Sequence, residues 1–302
     1  MVREQLLQPA SLPISVSAPG SPTLPVSDLQ IKPEGNVINF SNGDIAGRFN
    51  TANGQWVQYT FKGEPLLKTF PEPYFWRAPT DNDFRNQIQE RLGVWRSAHA
   101  NRRFISAKVG EKTADGLKIE VKFRLTDVSA AYQVNYTILS NGAVKVEALM
   151  EMDEPQLPEM PRFGMRMQLG REYEQIEYYG RGPWENYTDR NTASFIGEYN
   201  QPSSDMFVAN YIRPQENGYR TDIRWIKFIS NKGGGLMITG VQPVGFSALP
   251  YTAEDMHPCI AKKNQHPSDL NERNFISLHI DLRQPALVAI TAGEPCPMHL
   301  TC

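Results

Sequence analysis

Cysteine is scarce in this chain. Cys259, Cys296 and Cys302 are the only three among 302 residues. Their odd number and spacing suit neither a disulfide framework nor a zinc site, so we read them as incidental thiols. An excess of one charge is also lacking. The 31 Lys and Arg nearly balance 33 Asp and Glu, for a formal net charge of −2. That balance gives no electrostatic footing for nucleic acid or for an anionic membrane. No apolar run is long enough to span a bilayer, and the start carries no signal-peptide pattern. The compartment stays unassigned between a bacterial-type cytoplasm and periplasm. Helical periodicity is almost missing, since only residues 84–98 look helical, and weakly. Strands do not alternate with helices, so no (β/α)₈ barrel is expected here.

What the chain does have is turns between alternating runs. Val37–Phe40 leads into Asn42-Gly43, and Asn53-Gly54 precedes Trp56–Phe61. Asp115-Gly116 precedes Leu117–Phe123, and Asn141-Gly142 separates Tyr132–Tyr136 from Val144–Ala148. Asn-Gly and Asp-Gly between alternating runs signal hairpins, because such turns need positive φ. Ile226–Ser230 and Leu236–Gly240 flank a Gly-rich loop and form a further hairpin. The pattern predicts an all-β chain, a large antiparallel sandwich of two layers. Residues 1 to about 25 hold Pro9, Pro13, Pro19, Pro22 and Pro25 and read as an extended leader.

One stretch concentrates the chemistry: Tyr178-Tyr179-Gly180-Arg181-Gly182-Pro183-Trp184-Glu185-Asn186-Tyr187-Thr188-Asp189-Arg190. Two glycines and a proline end a strand and present aromatic and polar groups together. Trp184, Glu185, Asn186, Tyr187 and Arg190 suit a sugar, whose C–H face stacks on a ring and whose hydroxyls pair with carboxylate and amide. They also suit an internal network in which Arg190 clamps Glu185 or Asp189, and that reading weighs more. Glu216, Asn217 and Arg220 carry the same two readings, as do Trp76 and Arg77. Asp81 and Asp83 alternate oxygen side chains as a cation loop would. The residues after them lack the spacing of such a loop. Turn formation with a carboxylate pairing Arg77 is therefore favoured, and no metal is assigned. No catalytic residue is assigned either.

Together with Phe75–Asp83, Arg213–Gly218 and His279–Gln284, this stretch resembles the C-terminal small-chain domain, the fifth domain, of the large β-galactosidases of glycoside hydrolase family 2. The four motifs stand in the family's order and cover the chain from about Val26 to Gln284. The resemblance implies a β-supersandwich similar to galactose mutarotase. It divides the chain into a leader, 1–25, ending a preceding sandwich domain, and a small-chain domain, 26–302. It implies a parent that hydrolyses terminal non-reducing β-D-galactosides with retention and assembles as a homo-oligomer. Its catalytic glutamates would stand on a barrel preceding this region, and any Mg, Na or Ca would belong to other domains. This domain would then pack on the catalytic barrel and wall one side of the galactoside pocket, as a scaffold or carbohydrate-binding part without catalysis. The alternative is a free-standing carbohydrate-binding or aldose 1-epimerase-like protein. Such an enzyme needs a His acid and a Glu base. None of His99, His257, His266, His279 and His299 stands in a matching motif.

After Gln284 the likeness ends. The family continues with a Gly-rich segment of the type Gly-Val-Gly-Gly-Asp-Asn-Ser-Trp-Gly, whose Trp reaches the galactose site. Here the chain reads Pro285-Ala286-Leu287-Val288-Ala289-Ile290-Thr291-Ala292-Gly293-Glu294. Codons permitted for these residues, read one base out of register, spell Gly-Gly-Asp-Asn-Ser-Trp-Gly. We therefore expect 285–302 to be a non-native, frame-shifted tail that leaves an open sheet edge. The nucleotide sequence from the Gln284 codon onward tests this. One added or lost base should restore the Gly-rich segment, and an intact frame would refute it.

Overall fold

The computed structural model describes residues 29–153, 156–231, 234–257, 265–283 and 298–301. The leader, all three cysteines and residues 284–297 lie outside the described residues. Among the described residues, seventeen strands make two sheets in which every pairing is antiparallel. The chain is the large all-β supersandwich that its turns and motifs imply.

The first sheet is a meander of β1 (Gln30–Glu34), β2 (Val37–Asn42), β3 (Ile45–Asn50), β4 (Gln55–Phe61) and β5 (Glu64–Pro65). The second begins with β6 (Thr69–Tyr74), β7 (Arg102–Thr113), β8 (Gly116–Leu125), β9 (Ala130–Leu139) and β10 (Val144–Met152). It continues with β11 (Phe163–Gly170), β12 (Gln175–Gly182), β13 (Phe195–Pro202), β14 (Arg220–Ile229), β15 (Gly235–Leu249), β16 (Phe275–Arg283) and β17 (Met298–Thr301). Its order is β13-β12-β14-β15-β17-β10-β9-β8-β7, and β16, β11 and β6 branch from the far half of β15. That branch works because β15 is fifteen residues long. One edge of β15 pairs with β14 from Gly235 to Phe246, and the other meets β17 at Thr239–Gly240 and β16 at Gly245–Leu249.

Alternation builds the core. In β8, Leu117, Ile119, Val121, Phe123 and Leu125 point inward and Lys118 and Lys122 point out, as a period of two requires. Phe49 joins the two sheets. Its ring meets Trp56 at 5.3 Å and Tyr136 of β9 at 5.6 Å. Beyond β6, Phe75 packs on Tyr132 at 5.7 Å and on Phe163 at 6.1 Å.

The predicted hairpins form, with two turns displaced by one residue. Asn42 pairs with Ile45, so the turn is Gly43-Asp44. Thr113 pairs with Gly116, so the turn is Ala114-Asp115 and Gly116 opens β8 at φ +132°. At Asn53-Gly54 and Asn141-Gly142 only the glycines take positive φ, +69° and +83°. The asparagines instead accept backbone N–H bonds two residues on, from Gln55 and Ala143. The weak helix over 84–98 is three pieces, α1 (Asp81–Arg85), α2 (Ile88–Arg91) and α3 (Val94–Ala98). Gln87, at φ +52°, breaks the first from the second. Asp81 and Asp83 thus stand in a first helical turn capped by Thr80, and not in a loop. The expected open edge is also filled in part, because β17 pairs with both β10 and β15.

Phe49→Ala removes the ring that joins the sheets and should lower stability by about 3–5 kcal/mol, read as a fall in the urea midpoint at unchanged slope. A change below about 1 kcal/mol would mean that the meander is not part of the same cooperative unit.

Candidate functional site

Three of the four motifs converge on one concavity of about 520 Å³. Its wall takes Arg77 and Asp81–Asp83 from the β6–α1 junction, Tyr187–Arg190 from the loop after β12, and Tyr211, Gln215 and Glu216 from the approach to β14. The segment before β11 adds Glu159, Met160 and Pro161. The fourth motif lies below, where Asp281 of β16 is fully buried.

A buried charge network joins these layers. Arg162 Nη2 donates to Glu216 Oε1 at 2.8 Å, and Arg162 Nε lies 2.8 Å from Asp281 Oδ2. The second is a close ion contact without hydrogen-bond alignment. The guanidinium also lies 5.7 Å from the Tyr219 ring. All four residues are at most 2% exposed. Two glycines make room for them. A Cβ at Gly164 would stand 2.0 Å from Asp281 Oδ1, and one at Gly245 would stand 1.8 Å from the Tyr219 hydroxyl.

One guanidinium cannot neutralise two buried carboxylates. Burial pushes the Asp281 carboxyl up, Arg162 draws it down, Glu216 raises it again, and it settles at about 7. Burial works against the charge on Arg162, yet Asp281 and Glu216 hold its pKa above the ordinary arginine value.

Glu185 is the clamp between two loops. Its Oε1 accepts from Arg190 Nη2 at 2.8 Å and from the Tyr211 hydroxyl, and its Oε2 accepts from the Gly218 N–H at 2.8 Å. Burial and the bond to Glu185 push Tyr211 up to about 12, so its hydroxyl keeps the proton it donates. Asn186 is fully buried. Its side chain donates to the Arg181 and Trp184 carbonyls and accepts from the N–H and hydroxyl of Thr221. Asn217 is likewise turned inward, onto Gln215 and Val208. Tyr187 stacks on Tyr219 at 5.6 Å, lies under Arg190 at 4.5 Å and keeps a buried hydroxyl without a hydrogen bond. Trp184 is different, at 72% exposure. Trp76 is buried against His257, and Arg220 is buried at the start of β14.

Arg77 donates to both oxygens of Asp83, at 2.5 and 3.1 Å, and Thr80 adds its N–H and hydroxyl. Burial works to raise the Asp83 pKa, but the bonds and charge of Arg77 and the Thr80 donors outweigh it and hold it low. Asp81 lies 3.0 Å from Arg213. Among the described residues, no three His, Cys, Asp or Glu side chains group as metal ligands. None of the concavity's lining residues is a histidine. His99 and His279 instead flank the Tyr74 ring at 4.9 and 5.0 Å. Burial first, then Arg162 and Arg166, pushes His279 well down.

Arg162 and Tyr211 escaped the sequence reading. The sole signal for Arg162 is an arginine between Pro161 and Phe163 at the start of an apolar strand.

Asp281 has a consequence for stability. Its folded pKa, about 7, lies above the ordinary 3.8, so the folded chain holds a proton that the unfolded chain has released. That contribution is complete below 3.8 and is lost as pH rises to about 7. Asp281→Asn should flatten the fall in urea midpoint across this interval. An unchanged slope would show that other groups produce it.

The family model described as "Beta galactosidase small chain" matches residues 41–299, past the Gln284 at which the motif resemblance ended. The "Beta-galactosidase" of Priestia megaterium (strain DSM 319 / IMG 1521) is 31% identical over 249 residues, 82% of this chain and 23% of that protein. The "Beta-galactosidase small subunit" of Latilactobacillus sakei is 28% identical over 253 residues, 72% of this chain and 77% of that one. The chain spans about a quarter of the length of the first curated relatives it matches. Among solved structures, the galactosidase domain of alpha-galactosidase-sucrose kinase superposes over 90% of this chain and 41% of its own, with a TM-score of 0.50 and 10% identity. At that identity the likeness concerns the fold alone. With the motifs gathered round one concavity and the family match covering most of its length, this chain belongs to the β-galactosidase small-chain family.

Proposed function

We propose that this chain is the C-terminal domain of a β-galactosidase. The whole protein would hydrolyse terminal non-reducing β-D-galactosides with retention. This part would be non-catalytic, docking on the catalytic barrel and walling one side of the galactoside pocket. The observation that carries the reading is the state of the carboxylates around the concavity. A glycosidase needs two carboxyl groups free to face one glycosidic bond. Of the wall's acids, Glu216 is tied to Arg162, Asp83 to Arg77, Asp81 to Arg213 and Glu159 to Arg91, which leaves Asp189, one where two are needed; beside them Glu185 is tied to Arg190, Tyr211 and Gly218. These groups hold loops in place, which favours a scaffold over a hydrolase.

Surface apolar groups support docking. Trp184 is 72% exposed, Phe195 75% and Ile212 79%. Phe195 pairs across from Gly182, two residues before Trp184, and Ile212 follows the Tyr211 that bonds Glu185. Large exposed aromatic and aliphatic groups on segments that border a polar hollow mark an interaction surface. The relative named a small subunit supports association with a larger β-galactosidase chain, with the assembly a homo-oligomer of such units. Any Mg, Na or Ca of the parent would then sit in other domains. The domain limits follow the same reading, with 1–25 as the end of a preceding domain, 26–302 as the small-chain domain and 285–302 as non-native sequence.

The chain alone should leave nitrophenyl β-D-galactoside intact. Mixed with a β-galactosidase portion lacking this region, it should restore turnover, and Trp184→Ala should weaken that complementation about tenfold or more. Galactose mutarotation by the chain alone, lost in Glu185→Ala or His257→Ala, would replace this reading with the epimerase-like one.

A further inference from the structure

Arg220 is 2% exposed, as deeply buried as Arg162 is at 1%. Their surroundings differ. Arg162 has two carboxylates. The less buried arginines also have partners, Arg77 with Asp83, Arg102 with Glu72, and Arg166 with Glu72 and Glu254. Arg220 forms no ion pair among the described residues. Its Nε donates to the Tyr178 hydroxyl at 3.4 Å and its Nη1 to the Tyr219 carbonyl at 3.5 Å, both at the outer limit of a hydrogen bond.

The surroundings of Arg220 are aromatic. Phe246 is its cross-strand partner on β15. Tyr178 packs on Phe246 at 5.3 Å and on Tyr199 at 5.4 Å. Gly182 leaves room for the Tyr178 hydroxyl, since a Cβ there would stand 2.3 Å from it. A guanidinium cannot shed its charge, and buried charges are paired. Its planar fork matches two oxygens of one oxyanion.

We propose that Arg220 is the receptor for one carboxylate group that the described residues do not supply. The carboxylate is either a free small acid or an acidic side chain of the catalytic portion. Acetate is the probe, because it is a small monocarboxylate. At fixed pH and ionic strength, replacing chloride by acetate should raise the unfolding temperature of the wild-type chain by about 2–4 °C and then saturate. Arg220→Met should abolish the response.

If that variant does not fold, the wild-type chain still decides the matter. The NMR signal of the Arg220 Nε–H should then move along a saturating curve with acetate and stay fixed with chloride. Adding the catalytic portion separates the two sources. Loss of the acetate response assigns the carboxylate to that partner, and an unchanged response assigns it to the free acid. A wild-type chain that does not respond to acetate, by unfolding temperature or by NMR, overturns the proposal. So does an equal response in Arg220→Met.

Discussion

The arrangement of the concavity rests on Arg162. It enters from the segment before β11 and meets Glu216, which leads into β14, and Asp281, which lies on β16. These three positions are far apart in the chain and come from three neighbouring parts of the second sheet. A planar cation with five donors can hold two carboxylates at once, which a lysine cannot do with the same geometry. The arrangement also binds its members together. Removing either carboxylate leaves less charge to balance the arginine, and removing the arginine leaves Glu216 and Asp281 buried without their cation. Gly164 and Gly245 belong to the same constraint, because a side chain at either would occupy the space of Asp281 or Tyr219.

Around that centre, most polar residues of the motifs are spent on architecture. Glu185, Asn186 and Asn217 satisfy backbone and side-chain groups of loops that would otherwise have no regular partners. Asp83 caps a helix that is one turn long and fixes Arg77 at the same time. What is left for contact is a small set, with Trp184 and Ile212 at the surface and Tyr187 and Arg190 in the wall of the hollow. A domain that orders its loops this thoroughly offers a stiff surface. Such stiffness is what the proposed docking would call on.

Much of the fold was legible because hairpins are local. A glycine able to take positive φ, set between alternating runs, marks a turn within a residue or so. Side-chain alternation then assigns each strand face, as it does for β8. The turn centre was less legible. Whether Asn42 or Asp44 shares the turn with Gly43 depends on cross-strand register, which neighbouring strands decide. The division of the weakly helical stretch 84–98 into one-turn pieces also eluded the pattern. Gln87 takes φ +52°, which no local propensity announces. In the site, the weighing of Glu185 against Arg190 anticipated their ion pair. Arg162 stayed hidden, because nothing in its own stretch tells an arginine facing two carboxylates from one facing water.

The sequence by itself determined the all-β class, the positions of the hairpins and the family, since these rest on short-range φ preferences, period-two alternation and ordered motifs. Only the tertiary structure decided which charges meet. It placed Glu216 and Asp281 on one guanidinium, closed Glu185 on Arg190 and Tyr211, and buried Arg220 with no carboxylate partner among the described residues. The reason is range. Turns and alternation are settled between residues a few positions apart, whereas a buried charge finds its partner only after distant strands have been brought side by side.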